Sequence, residues 1–99
     1  MNSIDFIATP VFVKNAKQLA KRYPSFVGDL RQLRESLIVN PEQGVLLSGG
    51  FRKVRMPIAS KGRGKSGGAR VITLNYLIEE KDQKIILVTI YDKADQSSI

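Results

Sequence analysis

The sequence predicts an α+β fold in which a small, mostly antiparallel β-sheet packs against an N-terminal α-helical hairpin, in the order β-α-α-β-β-β. Three observations predict it. Apolar residues recur at helical spacing after Thr9 and at strand-like density beyond Phe51, and the connections between these segments are short. A chain of 99 residues with 42% hydrophobic content supplies one core, hence one domain spanning residues 1–99.

Ser3 to Ala8 alternates, with Ile4, Phe6 and Ala8 against Asp5 and Ile7, as a short strand does. Thr9-Pro10 ends it and opens a helix, because a threonine hydroxyl can cap free N–H groups and proline suits the first helical position. Phe12, Ala16, Leu19 and Tyr23 form the helical stripe, with Lys14, Lys17, Lys21 and Arg22 around it. Pro24-Ser25 breaks this helix and starts another, striped by Phe26, Leu30, Leu33 and Leu37, which Asn40-Pro41 closes. So short a break predicts a hairpin whose two stripes need a common surface. Three strand candidates rich in Val, Ile, Leu and Thr supply it: Phe51 to Ala59, Ala69 to Ile78 and Lys84 to Tyr91. The polar Glu79 to Gln83 connection makes the last two an antiparallel hairpin. Alternation places Val54, Met56 and Ile58 on one face and Lys53 with Arg55 on the other. The sheet should therefore have one helix-covered face and one cationic face.

Composition narrows the chemistry. The chain has no cysteine and no histidine, which removes disulfides, thiolate zinc sites, cysteine nucleophiles and the commonest general base and metal ligand. No metal or other cofactor is expected. No apolar run approaches the roughly 18–20 residues of a membrane span, and Met1 to Pro10 lacks the layout of a signal peptide, so a cytoplasmic location away from membranes is expected. The net charge of +7 is confined to Gln43 to Ile78, which holds Arg52, Lys53, Arg55, Lys61, Arg63, Lys65 and Arg70 and no acidic residue. The rest of the chain is neutral overall. Such a local excess predicts a basic patch facing a polyanion.

The run Lys61-Gly62-Arg63-Gly64-Lys65-Ser66-Gly67-Gly68-Ala69-Arg70 imitates two nucleotide-binding motifs. A dinucleotide fingerprint needs a following helix and a later acidic residue, and a P-loop needs a glycine where Ala59 stands. Neither context is present. A loop kept basic only for solubility would account for the charge, whereas glycines beside cations also let backbone N–H groups approach phosphates, which favours nucleic acid.

Taken together, Arg52-Lys53-Val54-Arg55, the run from Ser60 to Ile72 and Ile90-Tyr91-Asp92-Lys93 resemble the RelE/ParE superfamily of bacterial type II toxins, particularly the HigB-like branch. The resemblance covers nearly the whole chain. Its most specific element is the run Gly64-Lys65-Ser66-Gly67-Gly68-Ala69-Arg70-Val71, followed one hairpin later by Tyr91 and Lys93. It implies a RelE-like fold and a ribosome-dependent, metal-free endoribonuclease that cuts mRNA in the ribosomal A site and so inhibits translation. It also implies a cognate antitoxin, commonly one with a helix-turn-helix DNA-binding domain. By motif match, Lys53, Arg55, Arg70 and Tyr91 are the candidate catalytic residues, while Arg52, Lys61, Arg63, Lys65 and Lys93 are candidate RNA or phosphate contacts. Some relatives use a late tyrosine or histidine, and here Tyr91 is the one available.

Metal-free RNA cleavage takes the 2′-hydroxyl as nucleophile and needs a base, stabilisation of the charged phosphorane and an acid for the leaving 5′-oxygen. Lys53 is the base candidate, because crowding by Arg52, Arg55 and Arg70 would favour its neutral form. Arg55 and Arg70 would clamp the phosphorane, and Tyr91 would orient or protonate. Each has a plainer alternative. Arg70 could be a structural arginine at a strand end, and Tyr91, on the face of Ile85 and Leu87, could simply pack. Two other functions remain open at this point: a ParE-like toxin that binds DNA gyrase, and a noncatalytic RNA-binding module.

Overall fold

The structure, a computed structural model, describes residues 3–61, 67–79 and 82–95. They form two helices and one five-stranded mixed sheet in an α+β arrangement. β1 (Ser3–Ala8) leads into α1 (Pro10–Arg22) and α2 (Phe26–Val39), followed by β2 (Val45–Leu46), β3 (Phe51–Met56), β4 (Ala69–Glu79) and β5 (Asp82–Asp92). The strand order is β1-β5-β4-β3-β2, with β1 parallel to β5 and the other neighbours antiparallel.

Thr9 ends β1 as its chemistry predicts. Its Oγ1 accepts the Phe12 N–H at 3.1 Å and donates to the Val88 carbonyl at 2.7 Å. One side chain thus caps α1 and fastens it to β5. Both helical stripes turn to the same face of the sheet. Phe12 and Leu19 of α1 and Phe26, Leu33 and Leu37 of α2 bury against Val54, Met56, Val71, Ile85 and Ile90, while Ala16, Tyr23 and Leu30 pack at the margin. The expected β-α-α-β-β-β order gains a strand, because Val45 and Leu46 pair with Lys53 and Arg52. Two exposed residues show no alternation to read. β3 ends at Met56 rather than Ala59, since Pro57 has no N–H to give a ladder, although Ile58 stays buried.

Two local features set the positions of the charged side chains. Gly68 lies so close to the end of β3 that a Cβ there would stand 2.1 Å from the Met56 carbonyl oxygen and 2.9 Å from the Pro57 Cα. This close passage delivers the chain into β4 with Arg70 opposite Arg55. In β5 the ladder shifts: Ile72 pairs with Thr89 but Thr73 pairs with Leu87, leaving Val88 as an extra residue. Ile85 and Leu87 face the helices before this bulge, whereas Ile90 and Asp92 do so after it. Tyr91 therefore lies on the face opposite Ile85 and Leu87, and the expectation that they share a face is corrected.

Candidate nucleic-acid interface

The row Val54, Val71 and Ile90 is buried beneath the helices, so the next row along the ladders points the other way. That row is Arg55, Arg70 and Tyr91, one residue from each of three adjacent strands. Lys53, opposite Ile72, lies on the same face and diagonal to Arg70. Directly opposed side chains on neighbouring strands stand about 4.5–5.5 Å apart at Cβ and diagonal ones roughly 7–8 Å, so Arg70 has Arg55, Tyr91 and Lys53 as its neighbours on that face. All four candidate catalytic residues thus share one face. Their exposures differ: Arg55 is exposed, Lys53 and Tyr91 are half-buried, and Arg70 is only 5% exposed. Arg70 Nη1 donates to the Ala69 carbonyl at 3.2 Å. A guanidinium held this way is a fixed charge under the face, and its field reaches further through protein than through water. Arg55 is the more accessible of the two arginines.

Two of the expected RNA contacts belong elsewhere. Arg52 alternates with Lys53 and points to the helix side, where its Nη1 donates to the Glu42 carbonyl at 2.7 Å. One of the three cations expected to crowd Lys53 is therefore on the wrong face. Lys61 has a side chain only 12% exposed, and its Nζ donates to Asp92 Oδ1 at 2.8 Å, so it is an internal ion-pair partner. Arg63 and Lys65 lie outside the described residues. Lys93 is half-buried in the turn after β5, where its backbone N–H donates to the Gly68 carbonyl at 3.1 Å.

Asp92 is the group that sequence reasoning missed. Its side chain is fully buried and accepts hydrogen bonds from Lys61, the Tyr23 hydroxyl, Arg22 and the Ala94 N–H. Burial alone would raise its carboxyl, but the Lys61 and Tyr23 hydrogen bonds and the Ala94 amide outweigh this and hold it at about 2. Asp92 thus ties the end of α1, the turn Ala59–Lys61 and the end of β5 together on the side of the sheet opposite Tyr91. Its side-chain partners lie 31 to 70 positions away, so no local pattern could announce them.

A second polar group lies between α2 and β3. Asp29 Oδ2 accepts from Ser25 Oγ at 2.6 Å and from the Ala59 N–H at 3.2 Å, and Ser25 Oγ accepts the Ser60 N–H at 2.9 Å. Beside it, Asp29, Gln32, Ser36, Gln43 and Arg55 line a cleft of about 190 Å³. A larger groove of about 410 Å³, floored by Phe6, Leu30, Leu33, Leu37 and Leu87, lies on the helix side and includes none of the cationic row. Among the described residues, no group of acidic side chains could hold a metal ion, and no helix is long and apolar enough to cross a membrane. No family model matches the sequence.

Proposed function

We propose that this chain is the toxin of a bacterial type II toxin-antitoxin system, a HigB-like, RelE-fold endoribonuclease that cuts mRNA in the ribosomal A site. The observation that carries this reading is the cross-strand row of Arg55, Arg70 and Tyr91 with Lys53 diagonal to it, on the face away from both helices. In the proposed reaction Lys53 takes the proton of the 2′-hydroxyl. The 2′-oxygen then bonds to phosphorus, the bond to the 5′-oxygen breaks, and a 2′,3′-cyclic phosphate remains. Arg55 and Arg70 offset the charge of the phosphorane, and Tyr91 orients the phosphate or gives the leaving 5′-oxygen its proton.

The row contains neither carboxylate nor histidine, so its base is weak. Such a site gains most from a substrate whose geometry is imposed by a larger body, which is the part the ribosome plays in this proposal. The proposed partner is a cognate antitoxin carrying a helix-turn-helix domain, and the proposed location is the cytoplasm. Primer extension on a defined mRNA, in a translation extract with and without ribosomes, tests the reading. Discrete cuts only with ribosomes present are expected. Intact mRNA from folded protein overturns it.

A further inference from the structure

We propose that the strip of sheet beside the cationic row is a stacking platform for single-stranded RNA, on which Phe51 and Tyr76 receive bases of the strand whose phosphate lies on that row. The inference rests on the RNA-cleaving reading above and adds to it a contact to the bases that tolerates any sequence. Register places the platform. Phe51 pairs with Leu74, Leu74 with Ile86 and Ile86 with Ile7, so one apolar row crosses β3, β4, β5 and β1. Phe51 shares its face of β3 with Lys53 and Arg55, and Leu74 shares its face of β4 with Arg70 and Ile72, so this row lies on the face of the candidate catalytic residues. Tyr76, the next residue of β4 on that face, is diagonal to Phe51 and roughly 7–8 Å from it. Both helices pack on the opposite face. Tyr76 is 56% exposed and Ile7 42%, with Phe51, Leu74 and Ile86 half-buried beside them.

Charge and ring chemistry decide the occupant. Lys53 borders the apolar row, and Arg55 and Arg70 lie one same-face position beyond it along β3 and β4. Asp5 and Asp82, the acidic residues on that face among the described side chains, belong to β1 and β5, neither of which borders β3. The net charge of +7 opposes a second copy of the chain here, and an apolar protein segment would leave the cations unused. Single-stranded RNA matches both parts of the surface, with phosphates for the cations and flat bases for the rings. Every base has a π-face, so stacking on Phe51 and Tyr76 asks nothing of the sequence. The Phe51 ring is also seated in advance: its Cδ2–Cε2 edge lies beside Gly49, where a Cβ would stand 3.3 Å from it. Gly49 has a φ of 76°, which glycine adopts readily, so the turn can bring its backbone against the ring.

The test is fluorescence anisotropy of labelled hexauridylate and hexaadenylate, titrated with the folded parent chain and with Phe51→Leu, Tyr76→Leu and Val27→Ala. Both leucine variants keep an apolar side chain and lose the ring. Each is expected to bind both RNAs about tenfold more weakly. The slope of log affinity against log salt should stay that of the parent, because no phosphate contact is lost. Val27→Ala, on the helix side, should bind as the parent does. Tyr76 is exposed, so its variant keeps the fold even where that of the half-buried Phe51 does not. Affinity within about twofold of the parent in Tyr76→Leu overturns the proposal. So does a parent that sediments as a dimer and becomes a monomer in Tyr76→Leu, which gives the face to a second copy. Cutting of mRNA by the parent, with binding indifferent to both rings, overturns the platform and leaves the enzyme reading standing. Ring-dependent binding by a chain that cuts no mRNA on ribosomes does the reverse.

Discussion

At the residue scale, the basic side chains described in Gln43 to Ile78 divide into those on the sheet face away from the helices and those that hold the fold. Lys53, Arg55 and Arg70 stand on the cationic face, whereas Arg52 and Lys61 are engaged on the helix side. The sequence could not separate these groups, since all five come from one unbroken basic stretch. Arg55→Ala is expected to lower mRNA cleavage by at least about a hundredfold while the free energy of urea unfolding stays within about 0.5 kcal/mol of the parent, because the side chain is exposed. Arg70→Ala should lose both activity and stability, and Lys53→Ala activity. Cleavage within about tenfold of the parent after both Lys53→Ala and Arg70→Ala contradicts the assigned roles. Lys61→Ala leaves the Asp92 carboxylate without its main partner in a buried setting and should cost about 3 kcal/mol in urea unfolding. Asp92 also sets an acid limit. Its folded value of about 2 lies below that of an unfolded aspartate, so its contribution is present in full above about pH 4 and lost as pH falls toward 2. That contribution is roughly 2 kcal/mol, and the acid-unfolding midpoint of Lys61→Ala should move upward accordingly.

At the element scale, the parts that simple periodicity encodes were legible and the parts set by register were not. The stripes of α1 and α2, the Thr9 cap and the alternation of β3 all follow from side-chain spacing and are present as read. The bulge at Val88 has no such signature, because an extra apolar residue in an apolar strand leaves the composition unchanged. It offsets the numbering, so that Tyr91 takes the cationic face and Asp92 the interior. Deleting Val88 would leave a regular ladder, with Leu87 and Thr89 still opposite Thr73 and Ile72, so Tyr91 should keep the cationic face and Asp92 the interior. Gly68 carries the other constraint. Gly68→Ala must push the end of β3 aside and is expected to destabilise by about 1–3 kcal/mol while separating Arg55 from Arg70.

At the scale of the whole molecule, the arrangement is a sheet with its helices and apolar core on one side and a cluster of cations on the other. The net charge of +7 forecast that asymmetry, and the strand ladders give it a direction. With Arg52 and Lys61 engaged elsewhere, at most five cations of the basic stretch remain for phosphate. The logarithm of single-stranded RNA affinity should fall with the logarithm of salt at a slope of about −3.5, rather than the roughly −5 of seven contacts. Fluorescence anisotropy between low and physiological salt measures it. The central claim is tested most directly by primer extension on a defined mRNA in a translation extract, comparing the parent chain with Arg55→Ala. The account predicts discrete ribosome-dependent cuts with the parent and their loss in the variant, whereas intact mRNA with folded parent protein, or equal cutting by both, would contradict it.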